Sequence, residues 1–453
     1  MLPSLSLLGA ALLGAAAVSA VDTAPKCSLT QKCPKSAPCC SQYGSCGAGA
    51  YCLGGCDPRM SFSLDSCVPA PVCQNRKMDM SSTDRIVDVS KYLGDASKAD
   101  WVAQGSPIAY NGHTLLTMPP RSVGTVLAST VYMWYGRVKA RMKTGIGAGV
   151  VTAFILMSDV KDEIDYEWVG TDLTTSQTNY YYQGIPDYTH SGNITGASNI
   201  NQNWHDYEIN WTPDKIEWLV DGKVGRSVNK KDTWNKTANR YDFPQTPSRV
   251  QLSLWPGGAD TNAAGTVAWA GGAIQWDSDF IKENGYYYAS VGEISIECFG
   301  ANSPPGTNKG KSYTFKDIKS TEDTVVDGDK NTIIKSLLAT GLDMDLNYPD
   351  SGTGSNNPTQ ELIPGLSGGG PGTNGQAPPV NNGGTGTSGG SAGNPAGTDV
   401  APKCTATGFT QDCQAAAAGG GSSSGTSGAS KQDVIVGASM FGAILALSAA
   451  LLL

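Results

Sequence analysis

Asp162-Glu163-Ile164-Asp165-Tyr166-Glu167-Trp168 decides the fold of this chain of 453 residues. Carboxylates and large apolar residues alternate through it. A period of two is that of a β-strand, so Glu163, Asp165 and Glu167 share one face. Ile164, Tyr166 and Trp168 point the other way, into a core. Three neighbouring acids on one face repel each other, which is costly unless a site uses them. A solvated strand face is the simplest alternative. Such a face mixes Lys and Thr among its acids, and the nearest Lys is Lys161, outside the strand. Ca²⁺ is a second alternative, but that ion takes six or more oxygens, usually from a Gly-containing loop. No metal and no cofactor are expected. Paired carboxylates flanking a bond are what glycoside cleavage needs. Glu163 and Glu167 lie roughly 13 Å apart at Cα on an ideal strand. Retaining chemistry wants carboxyls about 5–5.5 Å apart and inverting chemistry about 6.5–9.5 Å, so spacing leaves the stereochemistry open.

Strand patterns recur on both sides: Tyr135–Arg141, Gly149–Met157, His205–Trp211, Lys215–Val220 and Arg249–Trp255. Turn residues separate them, and no strong helical period appears. The expected class is all-β, a β-jelly-roll sandwich with a long groove. Gln251, Ser253 and Trp255 alternate on one strand face and offer amide and aromatic groups. Trp255 and Trp269 are expected to face the groove, and Trp218 the core. His205 and Arg240 are assigned structural roles.

Glu-Ile-Asp-Tyr-Glu resembles the E-x-D-x-E signature of glycoside hydrolase family 16, a β-jelly roll of retaining enzymes. The resemblance implies Glu163 as nucleophile, Glu167 as general acid/base and Asp165 as their assistant. Trp204 to Trp218 resembles a second signature of that family.

Nine of the twelve cysteines fall within residues 27–73, a density that implies a small disulfide-held module in an oxidising compartment. Zinc is the alternative, but C-x₂-C pairs are absent. The spacing C-x5-C-x5-CC-x5-C-x5-C-x3-C around Cys-Cys-Ser-Gln-Tyr-Gly resembles the hevein-type chitin-binding module, carbohydrate-binding family 18. That resemblance implies sugar binding by Ser41, Tyr43 and Tyr51, while Ser45 departs from the family's aromatic; a disulfide plug that only braces the enzyme is the alternative. It also implies the pairs Cys27–Cys40, Cys33–Cys46 and Cys39–Cys52, with Cys56 bonding Cys67. Cys73 and Cys298 then remain to bracket the catalytic domain.

The chain ends complete the organisation. Residues 1–20 form an apolar run closing on Val18-Ser19-Ala20, a secretory signal pattern. Residues 351–430 are Gly-, Ser- and Thr-rich, a stalk too poor in apolar residues to order itself. A small disulfide loop between Cys404 and Cys413 is expected there. Lys431-Gln432-Asp433 and the apolar Val434–Leu453 read as a GPI-attachment signal over 431–453, with a spanning helix as the alternative. The module then covers 21–73, the catalytic domain 74–300, and a C-terminal extension 301–350. Asn193, Asn210 and Asn235 head N-glycosylation sequons. A net charge of −8 without basic tracts excludes a nucleic-acid partner.

This order of parts resembles the chitin–glucan cross-linking transglycosylases of fungal cell walls. The resemblance implies a monomer with a chitin donor and a β-glucan acceptor, held at the cell surface and wall by a GPI lipid in the membrane. It further implies that Glu167, Gln251, Trp255 and Thr266 contact the sugar, and Trp269, read above as facing the groove, is expected to join them. A plain hydrolase of chitin or β-glucan is the second reading. A non-catalytic chitin-binding wall protein is the third, and the acidic triplet argues against it.

Overall fold

Strands with one apolar face must bury it against another layer. The computed structural model describes residues 24–348 and 363–364, and the backbone of Cys404–Thr407 and Thr410–Cys413. In it two eight-stranded sheets meet this need. The first contains β1 (Thr125–Met133), β2 (Val150–Ser158), β3 (Glu163–Val169), β4 (Thr175–Tyr181) and β5 (Ser248–Pro256). Their spatial order is β4-β3-β2-β5-β1, antiparallel throughout. The second sheet includes Gly136–Lys143, His205–Trp211, Lys215–Val220 and Tyr287–Cys298. Both halves of the 205–220 hairpin form at the expected residues. The strand expected from Tyr135 begins one residue later, because Tyr135 holds φ at +63°.

The core lies between the sheets. Phe154, Tyr166 and Trp168 stack in series at 6.0 and 5.4 Å. Trp168 also meets Tyr207 of the second sheet at 4.5 Å. Trp218 is fully buried, as a core residue should be. The described residues contain two short helices, α1 (Ala264–Trp269) and Asp279–Asn284. The all-β class stands.

Among the described residues five disulfides join Cys27–Cys40, Cys33–Cys46, Cys39–Cys52, Cys56–Cys67 and Cys73–Cys298. The module they hold is pressed against the first sheet. Ser41, Tyr43 and Tyr51 are only 3%, 5% and 3% exposed, which corrects the expectation of an open sugar-binding face on these residues. The Tyr43 hydroxyl donates to Gln104 at 2.9 Å, and its ring packs on Val126 of β1. Tyr51 packs with Tyr92 and Ile334. The reason is physical: a fold this small has little core of its own, so its aromatics gain most by burial on a neighbour.

The segment after residue 300 clasps the module. Ser312–Phe315 pairs with Ala70–Pro71 on one side and Val325–Gly328 on the other. Gly49 N–H donates to the Ala339 carbonyl, and Ile334 N–H to that of Leu93. Chain contacts thus cross the expected borders at 73 and 300. Cys404–Thr407 and Thr410–Cys413 form an antiparallel hairpin with Cys404 opposite Cys413. The signal segment, the rest of the stalk and the apolar tail lie outside the described residues. Among the described residues no helix is long and apolar enough to cross a membrane.

Candidate active site

Strand register places the acids. Opposite Glu163 stand Met157 of β2 and Tyr181 of β4; opposite Asp165, Ile155 and Asn179; opposite Glu167, Ala153 and Gln177. One strand further, β5 continues these rows with Arg249, Gln251 and Ser253. The face away from the core therefore reads as acids on β3, aliphatic or small residues on β2, and polar residues on β4 and β5. Glu163 and Asp165 are 5% and 3% exposed, and Glu167 is partly buried.

Burial sets the acidity of all three. It holds the Glu163 carboxyl well above the usual range, with added repulsion from Asp165 and Glu167. Glu167 is raised in the same way, by burial and then Asp165. Asp165 is pushed up to about 7 by burial, against the opposing pull of the Asn179 N–H and the Arg226 charge. Such a triplet keeps protons near neutral pH. Lys161 acts on Glu163. Burial lowers the pKa of this lysine, and while charged it favours ionised Glu163. Glu167 instead faces the indole N–H of Trp255, which lowers its pKa without closing a full hydrogen bond.

Aromatic residues flank the Glu167 end. Trp255 and Trp269 stack at 6.0 Å and 26°, and Trp269 donates to Gln177 at 2.7 Å. Trp255 is 5% exposed, so it lies on the expected face but beneath its neighbour. Trp269 and Thr266 sit on α1 and are partly exposed. Gln251 is fully buried, with its amide nitrogen donating to Gln42 of the module at 3.2 Å. The Gln251 amide thus meets the module through its nitrogen, on the strand face it shares with the acids.

Sequence reasoning passed over Asp162. It is fully buried and accepts from Gln183 N–H, Gln245 N–H and the Thr246 hydroxyl at 2.9, 3.0 and 2.7 Å. It ties the start of β3 to two loops, and its position just outside the alternation hid this. Gln177, Asn179 and Tyr181 were also missed, because β4 carries no acid and its partner strand is not legible locally, and Lys161 was read only as lying outside the strand. His205 bridges Asp221 at 2.7 Å and Ser198 at 3.0 Å, while Arg240 pairs with Asp242 at 2.7 Å. Both are structural uses.

A model for glycosyl hydrolases family 16 matches residues 95–271. Crh-like protein 3 of Botryotinia fuckeliana (strain B05.10) is 61% identical over 318 residues, 70% of this chain and 71% of the relative. The chain belongs to glycosyl hydrolase family 16. Crh-like protein 2 of Aspergillus fumigatus is 54% identical, over 77% of this chain and 79% of the relative. Congo red hypersensitive protein 2 of Saccharomyces cerevisiae is 46% identical, over 68% of each. The solved structure of Crh5 transglycosylase in complex with NAG is 26% identical, covers 60% of this chain and 99% of that one, and has a TM-score of 0.48. Within the family-16 match, β3 is the strand that carries the acidic triplet.

Proposed function

We propose that this family-16 enzyme is a retaining transglycosylase that cleaves chitin and transfers it to β-glucan. Glu163 attacks the anomeric carbon of the donor while Glu167 protonates the departing oxygen. The glycosyl-enzyme ester then meets an acceptor hydroxyl. Glu167, now ionised, removes its proton, and Glu163 leaves. Asp165 holds or shares a proton between them. The observation that carries the assignment is that β3, inside the family-16 match, sets Glu163, Asp165 and Glu167 on one face with Asp165 between the other two.

Transfer is favoured over hydrolysis by the same burial. Two of the three acids are nearly sealed from solvent, and a Trp255–Trp269 stack adjoins the third. Sugars stack on such rings through their C–H faces. An oriented acceptor has an effective molarity far above that of bulk water, about 10⁵ M or more in favourable cases. Products from chitin oligomers with and without labelled β-glucan test this. Only free-ended oligomers in the presence of acceptor would establish the hydrolase.

The proposal extends to location. The protein is secreted and held at the cell surface and wall by a GPI lipid attached after removal of residues 431–453. It works as a monomer. Asn193 is exposed and is the sequon we assign to N-glycosylation. The amide nitrogens of Asn210 and Asn235 already donate to Glu217 at 3.0 Å and Asp242 at 2.7 Å, which disfavours their use. Release from membranes by an inositol-lipid phospholipase tests the anchor; retention would indicate a spanning helix.

A further inference from the structure

The seam between the module and the first sheet holds a chain of buried polar groups. Gln42 of the module is 8% exposed, Arg249 8% and Gln251 0%. Gln42 Oε1 accepts from Arg249 Nη2 at 2.9 Å and from Gln251 Nε2 at 3.2 Å. The guanidinium also lies 5.8 Å from the centre of the Tyr132 ring. Module glycines leave it room. A Cβ on Gly54 would stand 2.4 Å from Arg249 Nη1, and one on Gly55 2.8 Å from Nη2 and 2.7 Å from Gln42 Oε1. Gly55 also holds φ at +85°, and its N–H donates to Asp159 at 2.8 Å.

Arginine can only donate, so Arg249 forces Gln42 to present its oxygen. That oxygen forces Gln251 to present its nitrogen. The Gln251 Oε1 atom is left buried and without a partner. It lies on the strand face of Asp165, in the row Gln251–Ile155–Asp165. Further along β5, Ser253 Oγ is also buried without a partner, and Trp255 Nε1 faces Glu167 without closing a full hydrogen bond. Buried polar atoms are nearly always satisfied in native proteins, and a sugar group on this strand face would satisfy them. The cavity at the seam is lined by Tyr43, Tyr92, Tyr132, Arg249 and Gln251.

We propose that Gln42 is a positioning residue of the active site. The module acts through it to hold Gln251 as a hydrogen-bond acceptor, and so selects a donor group, such as a sugar hydroxyl or acetamido N–H, at that subsite. On this view the inward-facing part of the module serves the enzyme's own cleft. The inference rests on the proposed chitin substrate.

The test is a double-mutant cycle in the full chain, with N-acetylglucosamine oligosaccharides as donor. Gln42→Leu removes the acceptor and frees the Gln251 amide to turn; Gln42→Glu keeps the acceptor. Gln42→Leu should raise KM about fivefold, the worth of one ordinary hydrogen bond, with kcat changed less than about twofold. In a Gln251→Met background the same substitution should change KM by less than about twofold. Gln42→Glu should stay within about twofold of the wild type. An equal KM effect in both backgrounds would mean the seam is only structural, and an unchanged KM for Gln42→Leu would also overturn the proposal. Absence of wild-type activity on these oligosaccharides would refute the substrate reading instead.

Discussion

The indole N–H of Trp218, on the second sheet, donates to the backbone carbonyl of Asp165 at 3.0 Å. The bond runs from a fully buried core ring to the main chain of the central acid. The guanidinium of Arg226 lies 4.7 Å from the centre of the same ring, and its charge favours ionised Asp165. The layer beneath the site thus holds the main chain of β3 and partly opposes the rise that burial imposes on the Asp165 carboxyl.

Replacing Trp218 by Phe should keep most of the packing and the strand pairing of that carbonyl but remove the indole bond. The expected loss is about 0.5–1.5 kcal/mol of stability, measured by urea unfolding. Trp218→Ala should cost about 3–5 kcal/mol. If Trp218→Phe unfolds at the wild-type midpoint, the bond contributes nothing.

Glu163→Gln should lower turnover by about three to four orders of magnitude, since no covalent intermediate can form. Glu167→Gln should match it on natural oligosaccharides yet recover with donors whose leaving group needs no proton. Comparing the two donors in both variants separates the roles. Recovery in Glu163→Gln, and none in Glu167→Gln, would reverse the assignment.

Lys161→Met should move the acidic limb of the pH–rate profile upward. Its charge favours ionised Glu163, so removing it raises the pH at which the nucleophile loses its proton. The basic limb, set by protonated Glu167, should move less. A profile that keeps its acidic limb would show that Lys161 does not reach the nucleophile.

Asp165→Asn should stabilise the fold, and more so at higher pH. The folded carboxyl sits at about 7 against an ordinary 3.8, so the native state holds its proton more tightly than the unfolded chain. Its contribution is fully present below about pH 4 and is lost as the pH rises towards 7. Asn lacks this loss. The melting temperature of the variant should exceed that of the wild type at about pH 8, and the gap should close at about pH 4. A gap independent of pH would remove the titration as its cause.

The alternation at 163–168 was sufficient to determine the strand, its two faces and the acids that share one of them, because a period of two is a local property of the backbone. The hairpin of His205–Trp211 and Lys215–Val220 was legible for the same reason, and the buried Trp218 followed from its place in it. The family signature added roles that periodicity could not. Only the tertiary structure decided what surrounds the acids. Lys161, Gln177 and Asn179 join them through antiparallel register and burial, which no single strand encodes. The module's sequence gives its cysteine framework but not which way its aromatic face turns. That direction depends on whether a neighbouring surface can take up Tyr43 and Tyr51, and here the first sheet and the 301–348 segment do so. Gln42 is a polar residue in a turn when read alone, and its contact with Gln251 joins positions separated by 209 residues.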